Sequence, residues 1–303
     1  AHPGTSALVG SAIMEAAKKT NMPDGVFSLL HGSGKVVGQS LISHAGVKAA
    51  GFTGSQKAGR ILFDLANQRK EPIPFFAEMG SVNPVLLLPN SLNIKTAEML
   101  STSITMGAGQ FCTNPGLLIT LKNELLEKFI INLVSALEKI EPGVMLTEKI
   151  CKSYYNDLDL SLSNQDVKVE SKLIDNNELN NATSVLVSTS GESFLKNPNL
   201  ADEVFGPYSM IVKCKNKDEL NNVISSLNGQ LTGTVFSSKE EMQSFMKPIH
   251  QLEKKVGRLI FNGVPTGVEV SSSMQHGGPY PASSDSRFTS VGTMAIKRFV
   301  RPI

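Results

Sequence analysis

Apolar residues open the chain at helical spacing: Leu8, Val9, Ala12, Ile13, Ala16 and Ala17. They predict a helix over 5–20, closed by Pro23 and Gly25. The next run, VFSLL (Val26–Leu30), is short, mostly apolar and bounded by glycines, so it reads as a buried strand of the parallel type. A glycine-rich turn, HGSGKVVG, leads into a second helical stretch through Leu41 and Ile42. VKAAGF (Val47–Phe52) reads as another short strand, followed by the turn TGSQKAG and the helix GRILFDLANQ. Strand, glycine turn and helix therefore occur twice, the rhythm of a doubly wound sheet. Right-handed crossovers put both glycine turns at the same strand edge.

From PIPFFAEMG onward the pattern changes. PVLLLP is a short strand, Ile94–Met106 a helix, LLITL a strand, and Asn123–Ile140 an amphipathic helix stopped by Pro142 and Gly143. Residues 153–198 are polar and rich in Asn, with strand candidates VKVES and SVLVST. A regular alternation then resumes: YSMIVKC (strand), Lys217–Leu227 (helix), LTGTVFS (strand), Glu240–Leu252 (helix) and GRLIFN (strand). The tail from Gly263 is rich in Gly, Pro and Ser. It ends in SVGTMAIKRFVRPI, whose alternation is strand-like. No internal repeat is visible.

At roughly 100–200 residues per domain, 303 residues imply about two domains. Lys and Arg number 29 against 27 Asp and Glu, with no basic block, so nucleic acid is a poor default partner. Cys112, Cys151 and Cys214 lie far apart and form no disulfide framework, which points to a reducing compartment, the cytoplasm. No apolar run approaches the ~18 residues that span a bilayer, and no signal peptide is visible. No metal site is expected. The first residue is Ala, not Met, and a helix begins almost at once, a hint that the true beginning lies upstream.

Four stretches could carry chemistry. In MGAGQFCTNPG a lone cysteine, Cys112, sits among Gly107, Gly109 and Gly116. A lone cysteine is commonly a small core hydrophobe, but glycines allow close backbone approach and a thiolate is a strong nucleophile. His31, His44 or His276 could approach it in space, so a Cys–His hydrolase stays open. In FFAEMGSVNP, Glu78 follows apolar residues; it is either a paired structural ion or a base with a raised pKa. In FTGSQKAGR, Gly54, Ser55 and Gly59 lie between a strand and a helix, where free N–H groups can take a phosphate. Neither this turn nor HGSGKVVG fits the dinucleotide or P-loop spacing. In DEVFGP, Glu203 can bond a ribose diol and Phe205 can pack a planar ring.

In the order FTGSQKAG, AEMGSVNP, GQFCTNPG, DEVFGP and GRLIFNG, the chain resembles the aldehyde dehydrogenase superfamily over its full length. The resemblance implies an α/β fold: a partial Rossmann-type NAD(P)-binding domain (1–79), an α/β catalytic domain (80–275) and a C-terminal tail (276–303) that crosses to another subunit. It implies NAD or NADP as cofactor, with Gly54, Ser55 and Gly59 on the pyrophosphate side and Glu203 and Phe205 at the nicotinamide ribose and ring. It makes Cys112 the nucleophile and Glu78 the general base. The implied reaction runs through a thiohemiacetal and a thioester to the acid, with the Cys112 N–H as one oxyanion donor. The tail HGGPYPASSDSRFTSVG resembles the branch that oxidises 2-oxoglutarate semialdehyde (2,5-dioxopentanoate), with Arg287 as candidate for the substrate carboxylate.

EMGSVNP departs from the family's ELGGKxP by lacking a second Gly and a Lys. The family's upstream half of the cofactor sheet, a second oxyanion donor and an adenosine-ribose contact have no counterpart here. The chain therefore resembles the C-terminal part of such an enzyme, and the NAD or NADP preference is not fixed by it. The expected partners are a small aldehyde and, in the complete enzyme, further copies of itself, with no nucleic acid and no membrane. Two other readings stand beside this one: a non-catalytic truncated remnant, and a thiol hydrolase built on Cys112.

Overall fold

A computed structural model describes residues 2–173, 179–267, 269 and 271–303. Part of the Asn-rich stretch, 174–178, lies outside the described residues. Internal contacts divide the chain into two units, Ala1–Ala50 with Arg60–Phe75, and Gly51–Gly59 with Phe76–Ile303.

In the first unit, α1 (Pro3–Lys19) begins with Pro at its first position and with His2 accepting from the Thr5 N–H. A turn of π-helix (Gly34–Gly38) capped by Ser33 runs into α2 (Gln39–Ser43). Arg69 donates to the main-chain oxygens of Val47 and His44. The strand expected at 26–30 does not form, and Val26 and Leu30 are exposed. An apolar run stays extended only where neighbouring strands take up its N–H and C=O groups, and among the described residues none pairs with it. The doubled strand-turn-helix rhythm is therefore realised once.

That one instance is β1 (Ala50–Thr53) followed by α3 (Gln56–Gln68). The helix starts before the expected turn is over. Gly59 lies in its first turn with its N–H on the Ser55 carbonyl, so that donor is already engaged. β1 forms a two-stranded sheet with β2 (Phe75–Glu78), a strand that the pattern of PIPFFAEMG does not predict.

The second unit is a three-layer α/β structure. Its elements are β3 (Val85–Leu87), α4 (Ile94–Thr105), β4 (Leu117–Leu121), α5 (Leu126–Leu137), β5 (Gly143–Val144), α6 (Glu148–Leu162), β6 (Lys168–Val169), β7 (Asn181–Ala182) and β8 (Val185–Ser190). Then come α7 (Gly191–Lys196), β9 (Tyr208–Cys214), α8 (Lys217–Ser226), β10 (Gln230–Phe236), α9 (Lys239–Met242), α10 (Met246–Glu253) and β11 (Val256–Phe261). The main sheet has the order β11-β10-β3-β4-β9-β8-β6, parallel throughout except for the edge pair β6–β8.

Alternation along the strands divides the core. Val85, Leu87, Leu118 and Ile211 face one cluster with α4 and α5, while Leu86, Ile119, Met210 and Val212 face another with α6, α8 and α10. The single helix expected over 240–252 is broken by a 3-10 turn (Gln243–Phe245). Pro248 is tolerated only in a helix's first turn, so α10 restarts just before it.

The terminal segment is not a strand. Thr293–Arg298 is a 3-10 turn, with Met294 and Ile296 exposed, and Phe299 packs edge-on against Phe76. No strand lies beside it among the described residues, so its backbone groups bond locally, Ala295 N–H to Gly292 and Phe299 N–H to Ile296. With no terminal strand, the expected crossing to another subunit loses the unpaired edge on which it rested.

Candidate active site

The candidate residues gather in the second unit, on the loops that enter β3, β4 and β9. Glu78 ends β2, which is held by the segment 282–284: Met79 N–H donates to Ala282 O and Ala77 N–H to Ser284 Oγ, both at 2.8 Å. The turn at Gly54 is tied to the same strand, its N–H donating to the Glu78 carbonyl at 3.1 Å.

Cys112 lies after a left-handed turn. Gly107, Ala108 and Gly109 all have positive φ, near 56°, 55° and 67°. At Gly109 a side chain is excluded twice over. The backbone is left-handed, and a Cβ would stand 2.2 Å from the main-chain carbon of Gly206. The turn therefore brings the cysteine loop against the loop that carries Glu203 and Phe205. Asn114 Nδ2 donates to Gly206 O at 2.9 Å across that contact.

One buried side chain, Asn83, holds the cysteine loop to the sheet. Its amide donates to the carbonyls of Cys112 (2.8 Å) and Asn114 (2.9 Å), and its oxygen accepts from Thr232 Oγ1 of β10 (2.9 Å). Ser81 and Gln230 complete the network, with Gln230 Oε1 accepting from the Val82 N–H at 2.8 Å. Asn83 has φ 46°, a left-handed conformation that Asn adopts more readily than most residues.

Three reactive side chains converge at one point. His276 Nε2 lies 3.3 Å from Cys112 Sγ and 3.2 Å from Glu78 Oε1, and Ser290 Oγ donates to Glu78 Oε2. His276 is fixed by its own N–H on Thr289 Oγ1, and Ser290 N–H bonds the His276 carbonyl. The tail thus supplies two groups to the site, His276 and Ser290. Nothing local marks them: His276 is 198 residues from Glu78 and was only one of three histidines in view. Its flanking QHGG sequence is the one available signal, a buried His beside glycines.

The electrostatics follow from these contacts. Burial pushes Glu78 up, but hydrogen bonds from His276, Ser290 and Cys112 outweigh it and hold the carboxyl below its ordinary value. Of the two alternatives open for Glu78, its surroundings therefore give a hydrogen-bonded carboxylate whose pKa is lowered and not raised. Burial pushes the Cys112 thiol up to about 12, and the negative charge and hydrogen bond of Glu78 add to the rise. The resting pair is thiol and carboxylate. Because an ionised carboxylate only accepts, His276 Nε2 carries a proton directed at Glu78. His276 Nδ1 is buried with no partner among the described residues. The carboxylate, thiol and imidazole atoms all lie within 4.8 Å of one another, a donor set chemically suited to Zn²⁺.

Glu203 and Phe205 line a shallow pocket with Ser81, Phe111 and Asn114. A Cβ at Gly80 would meet Glu203 Oε2 at 2.3 Å, so glycine there keeps the carboxyl in place. Burial pushes Glu203 up to about 7 against an ordinary 4.5, although the Ser81 N–H bonds it. A raised folded pKa gives stability that is full below about 4.5 and lost as the pH rises through 7. Glu203→Gln, which cannot ionise, should therefore raise the thermal midpoint at pH 8 and leave it nearly unchanged at pH 4.5. An equal effect at both values would show that Glu203 is not the buried acid described.

Arg287 stands apart. It is exposed, and its guanidinium is taken up in a bidentate pair with Asp285, Nε to Oδ1 at 2.9 Å and Nη2 to Oδ2 at 2.6 Å. Cys151 and Cys214 are buried in α6 and β9. No helix among the described residues is long and apolar enough to cross a membrane.

Residues 3–151 match the Aldehyde dehydrogenase family. The Alpha-ketoglutaric semialdehyde dehydrogenase 2 of Azospirillum brasilense is 44% identical over 311 residues, covering 100% of this chain and 58% of that protein. The Alpha-ketoglutaric semialdehyde dehydrogenase of Acinetobacter baylyi is 42% identical over 306 residues, with the same shares. The chain thus spans 58% of the length of these curated relatives. Among solved structures, betaine aldehyde dehydrogenase of Staphylococcus aureus in complex with NAD+ superposes with a TM-score of 0.80 at 17% identity, covering 95% of this chain and 57% of that one. Glyceraldehyde-3-phosphate dehydrogenase of Methanocaldococcus jannaschii complexed with NADP gives a TM-score of 0.77 at 21% identity, covering 93% and 60%. At these identities the likeness is one of fold.

Proposed function

Since the chain belongs to the aldehyde dehydrogenase family, we propose that it carries the nucleophile, the base and part of the cofactor cradle of an enzyme that oxidises 2-oxoglutarate semialdehyde to the acid with NAD or NADP. The observation that carries this reading is the meeting of Cys112 and Glu78 around His276. The names of the relatives at 42–44% identity support the substrate.

The residues suit a nicotinamide cofactor. Glu203 is a carboxyl group with no cationic partner among the described residues, set beside Phe205 in a pocket. That combination fits a ribose diol and a planar ring. The turn at Gly54 and Ser55 precedes α3, whose first N–H groups suit a phosphate. Bound nicotinamide supplies the acceptor for the hydride that leaves the substrate carbon.

The Cys112 thiol gives its proton to solvent, and the thiolate adds to the aldehyde carbon to give a thiohemiacetal. The Cys112 N–H donates to the oxygen that becomes negative. Loss of hydride would leave a thioester on Cys112. Glu78 then takes a proton from water, which attacks the thioester; the acid departs and Glu78 returns the proton to the Cys112 sulfur. His276 and Ser290 hold the two Glu78 oxygens in place for this transfer.

The Cys112–His276 contact also favours a thiol hydrolase, but its details suit that chemistry poorly. The ring nitrogen nearest the sulfur carries its proton toward Glu78, so it cannot at once accept the thiol proton. Nδ1, where an orienting acid would bind, has no partner among the described residues. Two assays on the protein containing this chain separate the readings. Reduced cofactor should form from 2-oxoglutarate semialdehyde with NAD or NADP, and an activated ester should turn over far more slowly. Ester turnover without nicotinamide, together with no reduced cofactor, would reverse the assignment.

A further inference from the structure

Arg258 lies on β11 and has no part in the chemistry above. Its register partner on β10 is Thr232, which bonds Asn83, which in turn bonds the Cys112 carbonyl. The guanidinium is half-buried and poorly satisfied. Nη1 reaches Met274 Sδ at 3.6 Å and Nη2 reaches Pro265 O at 3.5 Å, both at the limit of a hydrogen bond, and Nε has no partner among the described residues. No carboxylate pairs with Arg258 among the described residues.

Its two acceptors belong to the segments that frame the nucleophile. Thr266, next to Pro265, approaches the Thr113 carbonyl at 3.5 Å, and His276, two residues after Met274, approaches the Cys112 sulfur at 3.3 Å. Both acceptors of the guanidinium therefore lie one and two residues from side chains that touch the cysteine loop. A half-buried guanidinium with idle donors is an unmet electrostatic demand, and a carboxylate satisfies it in bidentate fashion.

We propose that Arg258 is the anion subsite beside Cys112, taking the carboxylate end of an acidic aldehyde. The subsite stands on the geometry of Arg258, and only the identity of the aldehyde rests on the function proposed above. Arg287 cannot fill this role without first giving up Asp285. Glu78, an ionised carboxylate beside the sulfur, would repel an anion, so a cation is needed for one to approach.

The test uses the chain and two thiol reagents of similar shape, 3-maleimidopropanoate and N-ethylmaleimide. Mass spectrometry of the Cys112 peptide gives each labelling rate, and a small free thiol sets the baseline ratio. The wild-type chain should favour the carboxylate reagent relative to that baseline. Arg258→Gln should lower the ratio about ten-fold, since a charge-assisted contact is lost, and Arg258→Lys should restore part of it. An unchanged ratio in Arg258→Gln, or a fall at Arg287→Gln in its place, overturns the proposal.

Should Arg258→Gln not fold, the wild-type chain still decides. Glutarate should protect Cys112 from N-ethylmaleimide where glutaramide does not, and equal protection overturns the subsite. Neither arm needs cofactor or turnover. A subsite that passes while the whole protein reduces no cofactor would leave the anion site standing and the dehydrogenase reading fallen.

Discussion

Cys112→Ala should remove formation of reduced cofactor in the whole protein, by roughly 10⁴-fold or more, because no other group can form the covalent intermediate. Cys151→Ala and Cys214→Ala should keep it. Cys151 Sγ points at the Asn181 carbonyl at 3.7 Å inside the α6 contact, and Cys214 is fully buried in β9. Truncating either creates a small cavity, so their effect belongs in thermal stability and not in turnover. The measurement is steady-state rate and thermal midpoint for all three variants. An active Cys112→Ala with a dead Cys151→Ala would transfer the nucleophile to α6 and undo the site described.

Glu78→Gln should move two rates in opposite directions. The amide keeps the shape of the carboxylate but cannot take a proton, so hydrolysis of the thioester should slow by about 10²–10⁴-fold. Reduced cofactor should then appear as a burst about equal to the enzyme, followed by a slow steady state. The same change removes the negative charge that helps to raise the Cys112 thiol to about 12. The thiol pKa should fall, though only in part because burial is the larger cause, and alkylation of Cys112 by a neutral reagent near pH 8 should quicken. A variant with wild-type steady-state turnover would make Glu78 structural. One whose alkylation also slows would show that Glu78 activates the thiol at rest.

Much of the second unit was legible because its strands obey one physical rule. LLITL and YSMIVKC are mostly apolar runs buried on both faces, and both sit inside a parallel sheet with the bounds the pattern indicates. VFSLL has the same pattern and forms no strand, because pairing is a property of neighbours and not of the run itself. The tail shows the converse error: alternation at Met294 and Ile296 is not matched by burial, and a local turn satisfies the backbone.

At the site, the flanks of Cys112 and Glu78 made them candidates, while their roles came only from the resemblance. Ser290 and Asn83 were not candidates, and His276 was one of three histidines among which the sequence could not choose, since each acts across a long stretch of chain. The arginines illustrate the same limit. Arg287 and Asp285 are two residues apart, so a local pairing could have been suspected, whereas the idle donors of Arg258 appear only when β11 is laid beside β10.

The amide of Asn83 makes the position of the nucleophile a property of the sheet. Because it clamps the Cys112 and Asn114 carbonyls to Thr232, any lateral play in β10 is passed undamped to the sulfur. Reactive geometry tolerates little such play, with a displacement near 1 Å worth about 10²-fold in rate. The loop bearing Cys112 is therefore a poor place to seek adaptability and a good place to expect low thermal amplitude.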